Sequence, residues 1–391
     1  MAKDTPTANE ALLQESLRQQ VRLRRYSLWE ARRIAALLAD SERDLLKALI
    51  AGLEGVAGGP RMGTGSRARV ESLLGEVAAM RADAWQRVQD ELSGNLAEQA
   101  KADAKNEKAT LDDAVPVDFA FAAPPLEQVA AAATRRPFQG RLLSEWYDSL
   151  QAADRRRISE AVRIGVVEGR SADEIVRAVR GTAAKDYEDG VLAATRRDLT
   201  AVVRTAVSAV NNAAREEVWA ENADVIEGLR WTAVLDGRTS AICMSLDGKV
   251  FPVDDGPRPP AHVNCRSVMV AVIDGVEVVG DRPTVTDTRT RREREVDFRR
   301  LAKQNGTTVQ EERAAWADAN VGSVPKQTTY QQFLSGQSAA FQDEVLGPTR
   351  GQLFRDGGLT LDAFVDRAGR ELTLDDLRRT QPDAWAKAGL S

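Results

Sequence analysis

Apolar residues recur at helical spacing through the N-terminal part of the chain, and this pattern restricts the fold more than any other feature. Between residues 8 and 55 they fall three, four or seven positions apart, from Leu13 to Leu49. Such a stripe predicts one long amphipathic helix or two in tandem. A second stripe from Val70 to Leu96 follows a glycine-rich stretch. Together the stripes predict a helical hairpin or a coiled-coil arm over residues 1–110.

The rest of the chain changes character at several points, as expected for 391 residues that divide into two or three domains. Residues 111–141 are charged and then proline-rich, and we predict a linker there because Pro124-Pro125 cannot continue a helix. We predict a domain over residues 142–280, an exposed charged linker over 281–323 and a helical C-terminal region over 324–391.

Within residues 142–280 the hydrophobic period changes from that of helices to that of strands. Ser171 and Glu174 have the spacing of a capping box, and Gly181 is placed to end the helix that they begin. After residue 228, alternating and β-branched segments predict three short strands, with a short helix after the first. The predicted fold class is therefore mainly α with a small α+β module, which contains every cysteine and histidine of the chain.

The net charge, the hydrophobic runs and the cysteine count limit the kinds of partner and compartment that we expect. The net charge of -5 gives no basic surplus of the kind that a domain needs to bind nucleic acid by itself. No apolar run approaches the roughly 20 residues that a membrane span needs, so we expect neither a membrane partner nor a signal peptide. Two cysteines do not make a disulfide framework, and we expect the chain to be made in a reducing cytoplasm.

All the soft metal-ligand side chains of the sequence lie in one short region, as Cys243, His262 and Cys265. The His-x-x-Cys spacing allows two ligands to bind one metal ion from a single turn, but a structural zinc site usually has four ligands. Three ligands could instead leave an open catalytic position, with Asp236 or Asp247 as the general base. Buried thiols beside a hydrogen-bonded histidine, or a disulfide formed after release to an oxidising medium, explain the same residues without a metal.

Other residues of this region also allow two interpretations. Asp236-Gly237 and Asp247-Gly248 are pairs typical of turns as well as candidate sources of a base. Arg204 lies among small apolar residues of a predicted helix, where it is either buried with a carboxylate partner or extends to the surface. A Cys–His nucleophilic pair is formally available, although nothing in the sequence marks either thiol as activated. The sequence has no Gly-x-Ser-x-Gly and no Walker A loop.

Several separated motifs resemble, in their order, those of the phage minor head proteins, the Mu F-like head morphogenesis family with relatives in phages of Gram-positive bacteria. The family typically shows Asp-x-Arg-Thr-Cys-x-x-Cys, then Leu-Asp-Gly, then Pro-Pro-x-His-x-x-Cys-Arg-Cys. The matching residues here are Asp236, Arg238, Thr239, Cys243, Asp247, Gly248, Pro259, Pro260, His262, Cys265 and Arg266. The segment VVRTAVSAVNNAAREEVW, which contains Arg204, is also similar to the family, and the resemblance covers roughly residues 140–275 and 324–378.

The resemblance implies a virion protein present in few copies, close to the portal and the inner capsid surface. Its partners would be the portal protein and the major capsid protein, together with packaged DNA, and it would reach the head from the host cytoplasm during assembly. Ser240 and Ser267 stand where the family often has cysteines. The resemblance therefore implies that a four-ligand structural zinc site is degraded in this chain.

The leading hypothesis is a non-enzymatic minor head protein, because the sequence shows no complete catalytic set. One alternative is a metal-dependent, nuclease-like hydrolase, which would need a fourth ligand and a base close to Cys243, His262 and Cys265. The other alternative is an effector that is ejected with the DNA.

Overall fold

The computed structural model describes residues 8–56, 63–115, 120–273, 281–287, 289–325 and 327–390. The helices are α1 Ala8–Asp40, α2 Glu42–Leu53, α3 Thr64–Ala114, α4 Leu126–Arg135, α5 Leu143–Val167, α6 Ala172–Arg180, α7 Val191–Ala220, α8 Ala241–Leu246, α9 Arg291–Asn305, α10 Val309–Ala319, α11 Tyr330–Ser335, α12 Ala339–Leu346, α13 Pro348–Arg355, α14 Leu374–Thr380 and α15 Pro382–Lys387. The strands are β1 Ile226–Thr232, β2 Val250–Phe251, β3 Val268–Ile273, β4 Asp281–Val285 and β5 Val321–Pro325. This order of elements confirms the predicted fold class. In the described part of the chain, no helix combines the length and the apolar character that crossing a membrane requires.

The first apolar stripe forms two tandem helices, α1 and α2, and the second stripe forms α3. Helix α3 continues well beyond the predicted stripe, because Ala100, Ala104 and Leu111 extend its buried face. Part of the glycine-rich stretch between α2 and α3, residues 57–62, lies outside the described residues.

The linker predicted over residues 111–141 is wrong in part, because α4 lies within it. Pro125 directly precedes α4, a position where a missing N–H and a fixed φ suit the start of a helix. Val129, Ala130 and Ala133 are buried, and α4 packs against α3 and α7. Residues 116–119 of the predicted linker lie outside the described part of the chain.

Helix α7 lies at the centre of the largest apolar core and packs against α1, α3, α4 and α5. Helix α1 also packs on β3, where Asn9 closes the contact. The Asn9 Nδ2 donates to the carbonyl of Ile273 at 3.0 Å, and the Ile273 N–H donates to Asn9 Oδ1 at 2.9 Å. The N-terminal helices therefore share one core with the sheet module.

A second apolar cluster joins α2, the first part of α3, α5 and α6. The predicted capping box at its edge is confirmed: the Glu174 N–H donates to Ser171 Oγ at 3.3 Å, and the Ser171 N–H donates to Glu174 Oε2 at 2.8 Å. Gly181 ends α6 with φ +97°, a conformation that favours glycine.

Two buried ion pairs fasten α3 to its neighbours. The Arg215 Nε of α7 donates to Glu107 Oε2 at 2.6 Å, and Trp219 Nε1 donates to Glu107 Oε1 at 2.7 Å. Nearer the start of α3, Arg81 Nε donates to Asp154 Oδ2 of α5 at 2.7 Å. All four charged side chains are buried. Additional donors satisfy both carboxylates, which is the condition under which a buried pair offsets its desolvation.

The three predicted strands form an antiparallel sheet in the order β2-β1-β3. Leu229 pairs with Phe251, and Trp231 pairs with Met269. Leu229, Trp231 and Met269 are fully buried against the helical core. The short helix predicted after the first strand is α8.

The exposed charged linker predicted over residues 281–323 is a second correction, because β4 and β5 pair antiparallel with α9 and α10 between them. Phe298 of α9 is buried and meets Trp316 of α10 edge to face, with ring centroids 6.0 Å apart. Each of these helices begins with a Thr-x-x-Glu capping box. The charged composition of this segment suggested a linker, although a few apolar residues such as Phe298 and Trp316 pack its helices together.

The C-terminal region is helical, as predicted, and consists of the short helices α11 to α15. They surround an apolar cluster that includes Tyr330, Phe333, Phe341, Phe354 and Phe364. The cluster also includes Leu235 and Met244 of the sheet module, so the C-terminal helices pack directly on it.

We predict that Glu107→Ala lowers the free energy of unfolding by about 3–5 kcal/mol, because it leaves the buried Arg215 without its counter-charge. Glu71→Gln is the matched control, since Glu71 lies in α3 like Glu107 but pairs with Arg163 of α5 at the surface. Denaturant unfolding followed by circular dichroism measures both variants. A Glu107→Ala protein as stable as the control would contradict the role given to this pair.

Candidate metal centre and the carboxylate anchors around it

The structure brings Cys243, His262 and Cys265 together. The Cys243 Sγ lies 3.3 Å from His262 Nε2 and 3.6 Å from Cys265 Sγ. The three ligand atoms all lie within 4.8 Å of one another. Cys243 is held in the first turn of α8, where Ser240 caps the helix by accepting a hydrogen bond from the Cys243 N–H at 3.5 Å.

Hydrogen bonding within the trio shifts the pKa values of its two thiols in opposite directions. The contact with Cys265 raises the pKa of Cys243, and burial raises it further. The same contact with Cys243 lowers the pKa of Cys265, and a hydrogen bond from His262 lowers it as well. The bond to Cys265 in turn raises the pKa of His262. Of the two thiols, Cys265 is therefore the one that loses its proton more readily.

The donor set fits zinc in kind and spacing. Tetrahedral zinc with Zn–S bonds near 2.3 Å would hold two sulfurs roughly 3.8 Å apart, close to the 3.6 Å between Cys243 and Cys265. The His262 Nδ1 faces the Val263 carbonyl at 2.9 Å, and a carbonyl only accepts, so Nε2 is the ring nitrogen left for a ligand. Among the described residues, no fourth cysteine, histidine or carboxylate joins the group. Side-chain hydrogen bonds with Ser240 and Ser267 act to lower the pKa of Cys243 against the two larger effects.

The loop that carries His262 and Cys265 is fixed to the helical core. The Asn264 N–H donates to Thr205 Oγ1 of α7 at 3.0 Å, and Gln139 Nε2 donates to the Pro260 carbonyl at 2.7 Å. Asn264 has φ +60°, a left-handed conformation that asparagine adopts more readily than most residues. The loop geometry therefore depends on α7 and on the segment after α4.

Asp236 anchors the turn that follows β1. Arg266 binds it through two hydrogen bonds, from Nη1 at 2.6 Å and from Nη2 at 2.7 Å. The Arg238 N–H also donates to Asp236 Oδ1 at 3.0 Å, which is the turn geometry that an Asp-Gly pair favours. Thr239 Oγ1 donates to the Val234 carbonyl at 2.5 Å and closes the turn. Burial acts to raise the pKa of Asp236, but Arg266 outweighs it and lowers the pKa to about 2.

Asp247 joins the sheet module to the C-terminal region. It accepts hydrogen bonds from the Ala233 N–H at 2.7 Å, from Arg282 at 2.9 and 3.0 Å, and from the Tyr330 N–H at 2.7 Å. Gly248 follows with φ +84°, and a Cβ there would lie 2.9 Å from Thr329 Cγ2. Both aspartates are thus ion-paired and buried, and each is held by an arginine rather than directed at the Cys–His trio.

Arg204 fits neither sequence interpretation fully, because its Nε is buried but no carboxylate among the described residues pairs with it. The residue as a whole is half-buried in α7. Burial lowers its pKa, and the nearby guanidinium groups of Arg266 and Arg238 lower it further. The buried arginine with a carboxylate partner in this helix is Arg215 instead.

The sequence motifs did not identify two important residues of this region, Arg282 and Tyr330. Arg282 was assigned to a linker, yet it is buried and donates to Asp247. The Tyr330 hydroxyl donates to the carbonyl of Asp236 at 2.6 Å across 94 positions of sequence. Neither residue belongs to a local pattern, so no signal near it predicts its partner.

Residues 156–270 match the family model described as Phage Mu protein F like protein. This segment contains α6, α7, the three-stranded sheet as far as β3, and the Cys–His trio. Over this segment the match confirms the predicted resemblance, and it supports a Mu F-like phage head protein. No curated protein and no solved structure shows significant similarity to the chain.

We predict that Asp236→Asn removes a pH-dependent part of the stability. Because the folded pKa of about 2 lies below the ordinary value of 3.8 for an aspartic acid, the wild-type carboxylate stabilises the fold above about pH 4 and loses this effect as the pH falls toward 2. The variant should be less stable by about 2 kcal/mol near neutral pH, and the difference should shrink on acidification. Denaturant midpoints measured at a series of pH values test this. Asp255→Asn is the control, because Asp255 lies in an exposed loop of the same module.

Proposed function

We propose that this chain, whose residues 156–270 form a domain of the Phage Mu protein F like family, is a minor head protein that acts in virion assembly close to the portal. The family match is the observation that carries the proposal. The fold supports it, because the matched segment is completed by flanking elements into one packed body. Helices α1 and α3 cover α7, and the C-terminal helices cover the turn after β1. Such a body suits a scaffold whose surfaces contact other proteins.

Portal protein and major capsid protein are the proposed partners, and packaged DNA is the proposed cargo whose packaging or ejection the chain affects. The chain would be made in the host cytoplasm and then enter the inner head. The geometry supports a non-enzymatic role, because the two candidate bases, Asp236 and Asp247, are each ion-paired with an arginine. Cys243 and Cys265 are only 2% and 5% exposed, which restricts the access of a bulky substrate to either sulfur.

Deletion of the gene in the phage or prophage that carries it tests the head role. We expect fewer DNA-filled heads by electron microscopy, and we expect mass spectrometry to find the chain in purified wild-type heads. Complementation with the wild-type gene and with the Glu71→Gln variant should both restore filled heads, whereas Glu107→Ala should restore fewer. Normal numbers of infectious heads without the gene, or absence of the chain from particles, would refute the proposal.

We further propose that Cys243, His262 and Cys265 hold a structural zinc ion. The spacing of the donors and the lowered pKa of Cys265 support it. The ion would join α8 to the loop before β3 and so stabilise the sheet module. A fourth ligand from water or from a neighbouring serine hydroxyl would complete the shell.

Zinc content measured by inductively coupled plasma mass spectrometry tests this site. We expect about one zinc per chain in the wild type, a loss in Cys265→Ser and His262→Ala, and a lower melting temperature after chelation. Ser267→Cys supplies a fourth sulfur and should bind zinc more tightly. Ser245→Ala, in the same helix as Cys243, is the control. Absence of zinc from both the wild type and Ser267→Cys would exclude the site.

A further inference from the structure

A cleft of about 800 Å³ opens beside the turn that Asp236 anchors. Its walls come from α1, α7, the turn after β1 and the loop before β3, with α9 and α10 on the far side. Apolar side chains line part of it, among them Leu17, Val21, Val268, Phe298 and Phe341. The cleft adjoins the Cys–His trio, because Cys265 is one of its lining residues, whereas Cys243 and His262 do not line it.

Positive charge exceeds negative charge on the near side of this cleft. Arg24, Arg204, Arg238 and Arg266 line it together with the single carboxylate of Asp236. Arg266 occupies that carboxylate with two short hydrogen bonds, and Arg238 reaches it only at 3.4 Å with a side chain that is 67% exposed. Two arginines of the far side are paired, Arg294 with Glu344 and Arg313 with Glu295.

The guanidinium groups of Arg24 and Arg204 have no carboxylate partner among the described residues, and they repel their neighbours. Burial lowers the pKa of Arg24, and Arg238 and Arg266 lower it further. Arg204 Nε is buried without a hydrogen-bond acceptor, and Asn264 Oδ1 on the same wall is buried without a donor. Buried polar atoms in this state cost stability unless a ligand satisfies them.

We propose that this cleft binds an acidic polypeptide segment of a partner protein, with its carboxylates on Arg24, Arg204 and Arg238. Guanidinium groups bind carboxylates through paired hydrogen bonds, and the apolar wall accepts side chains of the same segment. A peptide also supplies backbone N–H donors for Asn264 Oδ1, which a phosphodiester chain does not. The overall charge of -5 argues further against a nucleic acid as the occupant. The proposal is independent of the head role.

Fluorescence anisotropy tests the proposal with a labelled peptide in which glutamate alternates with alanine. We expect binding by the wild type, and none to the counterpart peptide in which glutamine replaces glutamate. Arg24→Gln and Arg204→Gln should each weaken binding roughly tenfold or more, because each removes a charge-assisted contact. Added salt should weaken the wild-type complex.

Arg25→Gln is the matched control, since Arg25 is an exposed arginine next to Arg24 on α1 that does not line the cleft. It should leave the affinity unchanged. Labelled oligothymidylate is the competing probe, and tighter binding of it than of the glutamate peptide would overturn the proposal in favour of a nucleic acid. Equal binding of the glutamine peptide, no binding of the glutamate peptide, or full affinity in Arg204→Gln would overturn it as well.

Discussion

The contact between Glu107 and Arg215 is the interaction on which the helical core depends most. It places a carboxylate of α3 against a guanidinium of α7 at a point where both side chains are almost fully buried. Trp219 adds a second donor to the carboxylate, and Arg215 lies over its ring at 4.7 Å. In an interior this dry, either charge would be costly to bury without the other, so the pair favours the register in which α3 and α7 pack. Since α7 leads directly into β1, that register also sets the position of the sheet.

Beyond the helices, the sheet module is organised by two buried carboxylates. Asp236 and Asp247 each bind an arginine distant in sequence, Arg266 and Arg282 respectively, and each also meets Tyr330. An Asp-Gly pair that forms only a turn would need none of these partners. These contacts connect the sheet module to the C-terminal helices through buried hydrogen bonds. Water could replace these bonds only if the core opened. Asp236 is already paired with Arg266, so the other arginines near it outnumber the carboxylates that could pair with them. These arginines line the cleft beside Asp236.

Local patterns predicted local structure well here, and long-range contacts poorly. The stripes of α1 to α3, the capping box of Ser171 and the three strands follow from the spacing of a few residues, so the sequence contains them directly. The Cys–His trio was also predictable, because all the cysteines and histidines of the chain lie within 23 residues of sequence. Helix α4 was missed because its alanines gave a weak stripe behind two prolines. The segment with Arg282 was missed because its partner lies 35 positions away and its charges suggested solvent.

In the loop from His262 to Arg266, two adjacent residues take part in two different interactions. The Cys265 side chain enters the thiol group, and the Arg266 side chain enters the ion pair with Asp236. Between the core and this loop, Thr205 accepts from the Asn264 N–H, and Gln20 of α1 donates to the Arg266 carbonyl. The backbone is therefore held on both sides and has little freedom to shift one side chain without the other. A change that loosens the thiol group would move Arg266, and with it the charge balance of the cleft that α1 and α7 enclose.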